Sequence, residues 1–230
     1  MPARSAREPL SRERVLDAAV TLADAEGLRA VTMRRVADAL DCEAMSLYYY
    51  VRDKESLLAA LTEAVVAEIG ESCLAPSLQR GADDWRDVVR RRCLTAREVM
   101  FRHPWAPHLV ASQPTAPGSS YALFEALVAT MVAGGCSYSL AHRAIHSLGS
   151  MLLGFTQELF EPEAGDEGAS TEEMESLALA MPHLAKIAEV AAHESAGALS
   201  MCDTQAEFEF TLGLILDGLE AHRCEPDSAH

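Results

Sequence analysis

The stretch from Val31 to Leu58 restricts what this chain can fold into more than any other. Thr32 is a good helix N-cap, because its hydroxyl can accept from the free amides of a first helical turn. Met33, Val36, Ala37 and Leu40 then recur at spacings of three and four, the period of one buried helix face. Asp41-Cys42-Glu43 breaks that period before a second, very short helix over Glu43–Tyr49, centred on Ser46-Leu47-Tyr48. Two short helices joined by a tight turn, the second carrying small, hydroxyl and aromatic groups, form the pattern of a helix-turn-helix that enters a DNA major groove.

The flanks extend the pattern. Ser11 can cap a first helix to about Glu26, with Val15, Ala19 and Leu22 inward, and Gly27 supplies the left-handed residue that ends it. Asp53 can cap a fourth helix to about Ser72, with Leu57, Leu61, Ala64, Val65 and Glu68 on one side. The order Thr32, Arg34, Val36-Ala37, Leu40, Leu47-Tyr48, Lys54 and Leu57-Leu58 resembles the DNA-binding domain of the tetracycline-repressor (TetR) family, over roughly residues 1–60. The resemblance implies that Arg34, Ala44, Met45, Ser46, Tyr48, Tyr49, Tyr50 and Lys54 face DNA, with the fourth helix joining this domain to a body of residues 61–230. Arg34 can fork onto guanine O6 and N7, whereas Ala44 and Met45 offer only apolar contact, for instance to a thymine methyl. The tyrosines can donate phenolic hydrogens to phosphates, and Lys54 can meet one as a point charge. One of the three tyrosines is expected in the core.

A net charge of −16 looks unsuited to a DNA binder until it is divided. Residues 1–54 hold nine Lys+Arg and nine Asp+Glu, whereas the other 176 residues hold 10 against 26. The acidity belongs to the body, and Arg34, Arg35, Arg52 and Lys54 remain free to act locally. Residues 1–10 carry Arg4 and Arg7 without an apolar run and read as a disordered arm, not a secretory signal. No apolar run is long enough to span a bilayer, which predicts no membrane partner. Six cysteines without paired short spacings fit a reduced, cytoplasmic protein better than a disulfide framework or a zinc site.

The rest reads as helices joined by irregular segments. Asp84–Arg102 is helical, and its Arg90-Arg91-Arg92 turn reads as a solvated face or as ion pairs to the many carboxylates. Residues 103–118, with Pro104, Pro107, Pro114 and Pro117-Gly118, read as irregular. Ser119–Val132 is helical up to Gly134-Gly135. Ser137 or Ser139 can then cap a long helix to about Phe160. Residues 161–173 hold six Asp/Glu and no apolar period, and read as a mobile acidic loop. Met174–Ser195, restarted at Pro182, and a last helix capped by Asp203 with Phe208, Leu212, Ile215 and Leu219 complete an all-α chain.

The body also resembles the ligand-binding body found in this family, through Asp84-Trp85-Arg86-Asp87, Gly135-Cys136-Ser137, Gly149, Leu153-Gly154, Met181-Pro182 and Phe210 to Leu219-Glu220. The resemblance implies a homodimer held by the long helix and the last helix. Gly149, Gly154, Gly213 and Gly218 remove bulk from those two segments. In tetracycline-binding members a histidine and a glutamate hold the drug's magnesium, and His108 and Glu158 stand at or near those positions. Other ligand positions depart from that pattern, with Gly70, Arg92, Ala96 and Leu127 in place of histidine, asparagine, phenylalanine and glutamine. His142 and His146, one helical turn apart, are further candidates for a ligand wall.

The expected protein is a ligand-responsive regulator that binds a palindromic double-stranded operator as a homodimer and is released by a small-molecule effector. An activator of the same build is one alternative. Another is an all-helical binding protein or enzyme that keeps the fold without regulating transcription. Against an enzyme, the sequence shows no nucleophile–base pairing, no phosphate-binding glycine loop and no closed metal signature, and it calls for no cofactor.

Overall fold

The computed structural model describes residues 9–78, 84–155, 176, 178–187 and 204–223. All regular structure among them is helical. Local chemistry sets most boundaries. Helix α1 (Arg12–Glu26) starts where the Ser11 hydroxyl accepts from the Arg14 amide, and it stops at Gly27, whose φ is +76°. Helix α2 (Met33–Ala39) is capped by Thr32, which accepts from Arg35 N. The turn after it is closed by Asp41 at φ +51° and by a bond from Cys42 N to Ala37 O of 3.0 Å. Helix α3 (Ala44–Leu47) is only four residues long, shorter than the Glu43–Tyr49 span expected. Asp53 caps the 20-residue helix α4 (Lys54–Cys73).

Asp84 caps α5 (Trp85–Arg102), and Ser137 caps α8 (Tyr138–Gly154). Between them lie α6 (Ala106–Ala111), a 3₁₀ turn at Gly118–Ser120 and α7 (Tyr121–Ala133). Helix α6 corrects the expectation of an irregular 103–118 segment. Pro107 falls in its first turn, where no intrahelical amide is needed. The last helix, α9, is Thr204–Ala221. The expected acidic loop at 161–173 and the Asp203 cap lie outside the described residues, as do all of residues 188–203.

Two apolar clusters hold these helices. The first unites Val15, Ala19, Val36, Leu47, Leu57, Leu61 and Val65 with Val99, Met100, Trp105 and Leu109, so α1–α4 share one core with the end of α5 and with α6. The second gathers Trp85, Val89, Met131, Leu148, Phe208, Leu212 and Leu216 from α5, α7, α8 and α9. Helices α4 and α5 pack side by side between the two ends. Gly134 sits at the α7–α8 turn against the indole of Trp85, whose Nε1 reaches Glu220 of α9 at 3.3 Å.

Candidate functional site

Helix α3 presents its outward side chains on one short surface. Leu47 points inward and is fully buried, which fixes the rotation of the helix. Met45 and Tyr49 then project into solvent, 71% and 91% exposed, with Tyr48 beside them at 46%. Ala44 and Ser46 are half-buried at the base of that surface. Arg34, in the first turn of α2, and Lys54, in the first turn of α4, are both exposed. Neighbouring Arg35 is engaged elsewhere: its guanidinium donates to Glu26 of α1 at 2.8 Å, which holds that carboxyl below its usual range. Tyr50 is the tyrosine that turns inward. It is half-buried, and its hydroxyl donates to Leu10 O at 2.6 Å, stapling the start of α1 to the end of the helix-turn-helix.

Behind this surface a polar junction ties α1 and α4 to the α5–α6 corner. His103, 7% exposed, bonds through Nδ1 to Asp24 of α1 at 2.8 Å and through Nε2 to Glu68 of α4 at 3.0 Å. Trp105 Nε1 donates to the same Asp24 oxygen at 2.6 Å, and Arg102 donates to Glu68. Burial opposes ionisation of Glu68, but its bonds to Arg102 and His103 outweigh that and leave the carboxyl below its ordinary value. Sequence reasoning missed this junction, since no local spacing brings residues 24, 68 and 103 together.

A second layer lies between α4, α5 and α7. Contrary to the solvated reading of Arg90-Arg91-Arg92, Arg92 is buried, 3% exposed, because it lies on the same stripe of α5 as Val89 and Ala96. Its Nη1 donates to Ala126 O at 2.8 Å and to Thr130 Oγ1 at 2.9 Å, while its Nε is buried without a hydrogen-bond partner. The Cys73 thiol at the end of α4 donates to Arg92 O at 3.3 Å. Ala96, Leu127 and Gly70, all buried, belong to the same helices. Arg97, also buried, serves a different purpose: its guanidinium lies between the rings of Phe101 and Phe208 and donates to Phe155 O, tying α5 to α8 and α9.

The remaining ligand candidates do not join this layer. His108 is exposed on α6. His142 and His146 are exposed on α8, edge to face with ring centroids 4.8 Å apart. Glu158 lies outside the described residues. Among the described residues no three His, Cys, Asp or Glu side chains gather as a metal site, and no helix is long and apolar enough to cross a membrane.

Comparison with known proteins matches two stretches of the chain. Residues 15–61 match the family of bacterial regulatory proteins called the tetR family, and residues 75–223 match the tetracyclin repressor-like C-terminal domain. A transcriptional regulator of the helix-turn-helix type from Saccharopolyspora erythraea is 32% identical over 55% of this chain, a match that spans about half (51%) of that protein. A helix-turn-helix transcriptional repressor of Streptomyces coeruleorubidus, DrrR1, is 27% identical over 95% of this chain and 80% of its own. The crystal structure of a possible TetR family transcriptional regulator from Streptomyces coelicolor A3(2) superposes with a TM-score of 0.73, at 29% identity, over 92% of this chain and 99% of that one. With both the helix-turn-helix and the body matched, this chain belongs to the tetR family of bacterial regulatory proteins.

Proposed function

We propose that this protein is a transcriptional repressor that binds a palindromic operator as a homodimer and leaves it when a small molecule enters the body. The observation that carries the reading is the surface of α3 and the turn after it, where Leu47 is buried while Met45, Tyr48 and Tyr49 are exposed, as are Arg34 and Lys54. A four-residue helix displaying large side chains to water gains nothing in stability from them. A base-pair edge and its flanking phosphates give them partners. Dimerisation is supported by α8 and α9: a Cβ placed on Gly149, Gly154, Gly213 or Gly218 would meet no atom within 4 Å, and Phe210 and Leu214 are exposed. A second copy can pack closely against such helices. Two α3 helices related by a two-fold axis then require half-sites about 34–36 Å apart, or a related spacing.

Release follows if the effector binds more tightly to a body whose α4 helices hold the reading surfaces at the wrong separation. The shared core of α1–α4 with α6, and the Asp24–His103–Glu68 junction, give a route from body to reader. The buried Arg92 disfavours a cationic drug–magnesium complex in this body. Tetracycline is therefore not the expected effector.

Selection of bound duplexes from random DNA, followed by titration of operator and scrambled duplexes, tests the reading. Arg34→Ala should cost about 1–3 kcal/mol on the operator and relax base preference, whereas Lys54→Ala should weaken both duplexes alike. Equal losses on both duplexes for both variants would refute the assignment of Arg34 as a base reader. Failure to select any sequence would refute the function.

A further inference from the structure

We propose that the effector carries an acidic group, a carboxylate or an ionised enol or phenol, and that Arg92 receives it between α4, α5 and α7. The inference rests on the reading of the body as an effector-binding unit and names the chemical class that it takes. A guanidinium taken out of water is costly unless a negative charge and a full set of acceptors replace the solvent. Arg92 is only 3% exposed, yet among the described residues no carboxylate pairs with it. Both of its hydrogen bonds go to neutral oxygens, and both leave from Nη1. Among the described residues, the ionisable groups that bear on it are the thiols of Cys73 and Cys93. Burial pushes these up to about 11 and about 12, so they are neutral near pH 7 and supply no counter-charge.

The geometry left over suits an anion. With Nη1 pinned to α7, the plane of the guanidinium is held in place, and its Nε is buried without a hydrogen-bond partner. Two parallel bonds from the edge of a guanidinium are how an arginine grips a pair of anionic oxygens. Around it Ala96, one turn along α5, and Leu127, beside the Ala126 carbonyl that Arg92 holds, are buried and apolar. A mostly apolar molecule with one acidic group matches that combination. The Ala126 carbonyl also accepts from the Thr130 hydroxyl at 2.7 Å, so it keeps a partner without the arginine. Arg92 is therefore not required to satisfy the oxygens around it, and its cost is better explained by binding than by folding.

The test uses the full chain with benzoate, 2-naphthoate and anthracene-2-carboxylate, each beside its methyl ester. Thermal melting and release from a fluorescent operator are measured on the wild type, Arg92→Met and Arg92→Gln. At least one acid should raise the melting temperature and release operator at concentrations ten-fold or more below its ester. Both variants should lose that acid response by ten-fold or more, while Arg92→Met melts in the absence of ligand no lower than the wild type. Three results would overturn the proposal: no acid of the series binds, ester and acid bind alike, or the variants keep the acid affinity within two-fold. So would a large fall in the ligand-free melting temperature of Arg92→Met, which would mark Arg92 as a structural ion partner. If uncharged compounds alone release the operator, the regulator reading stands and the acidic effector does not. If the wild type holds no operator, it is the regulator reading that fails.

Discussion

Replacing His103 by alanine tests how firmly the reader is fixed to the body. The imidazole bonds Asp24 of α1 at 2.8 Å and Glu68 of α4 at 3.0 Å from a position only 7% exposed. Each hydrogen bond to a charged group is worth about 1.5–3 kcal/mol. The two carboxylates are 31% and 39% exposed, so they rehydrate in part, and they keep bonds to Trp105 and Arg102. Discounting for that solvent access leaves a cost of about 2–3 kcal/mol. In a chain of this size that lowers the melting temperature by roughly 5–10 °C. Urea denaturation at fixed protein concentration measures the first quantity. Fluorescence anisotropy on operator should show weaker binding in parallel, because α1 and α4 lose their common anchor. His103→Gln can donate to only one of the two carboxylates and should recover about half the loss. A change below about 0.5 kcal/mol for His103→Ala would refute the assignment of the junction as a structural tie.

Other perturbations bear on separate parts of the fold. In Gly134→Ala the new Cβ would lie 2.3 Å from Cδ1 of Trp85, so the α7–α8 turn or the indole must shift, and melting should report a loss of about 1–3 kcal/mol. Asp41→Val should melt below Asp41→Gly by about 1–2 kcal/mol, because it places a branched side chain in the left-handed turn between α2 and α3. Glu63 accepts from the amides of Gly118 and Ser119, and chiefly the Ser119 bond, against some desolvation, holds its carboxyl below the ordinary 4.5. Glu68 is lowered too, so both contribute stability that is present above their unfolded values and lost as pH falls through the folded ones. A Glu63→Gln/Glu68→Gln double variant should therefore be weaker at pH 7 yet approach the wild type below about pH 4, as read from denaturation across pH. Tyr50→Phe should lower stability through the lost bond to Leu10, whereas Tyr49→Phe should leave melting unchanged and weaken operator binding only.

What the sequence revealed divides by the range of the interaction. Ser11, Thr32, Asp53 and Ser137 all accept from an amide three residues on, and each was readable because a cap is made within one turn. Within the arginine run, Arg92 departs from the solvated reading because its place in the period outweighs its charge. Trp85, Val89, Arg92, Ala96 and Val99 form one stripe at spacings of three and four, and Arg92 occupies a core position on it. That period was a usable signal. Helix α6 was hidden by its prolines, which forbid a helix interior but suit a first turn. Nothing local could have announced the His103 junction, whose partners are 79 and 35 residues away.

On the proposed reading, the position of α4 lets one ligand in the body govern the surface of α3. It packs Leu57, Leu61 and Val65 into the core shared with α1 and α2, and its last residue, Cys73, bonds to the backbone of Arg92. The helix is 20 residues long, so Lys54 stands roughly 30 Å from that contact. A tilt of about 6° about the Arg92 end carries the reading surface through about 3 Å, and two protomers moving in opposite senses change the separation by about 6 Å, a sizeable fraction of a half-site spacing of about 34–36 Å. The His103 bonds to Glu68 lie near the pivot, where a small displacement at the ligand has the most leverage and the bonds stretch least. On the proposed reading, an acid drawn to Arg92 has to press on only the last turn of α4 to separate the two readers.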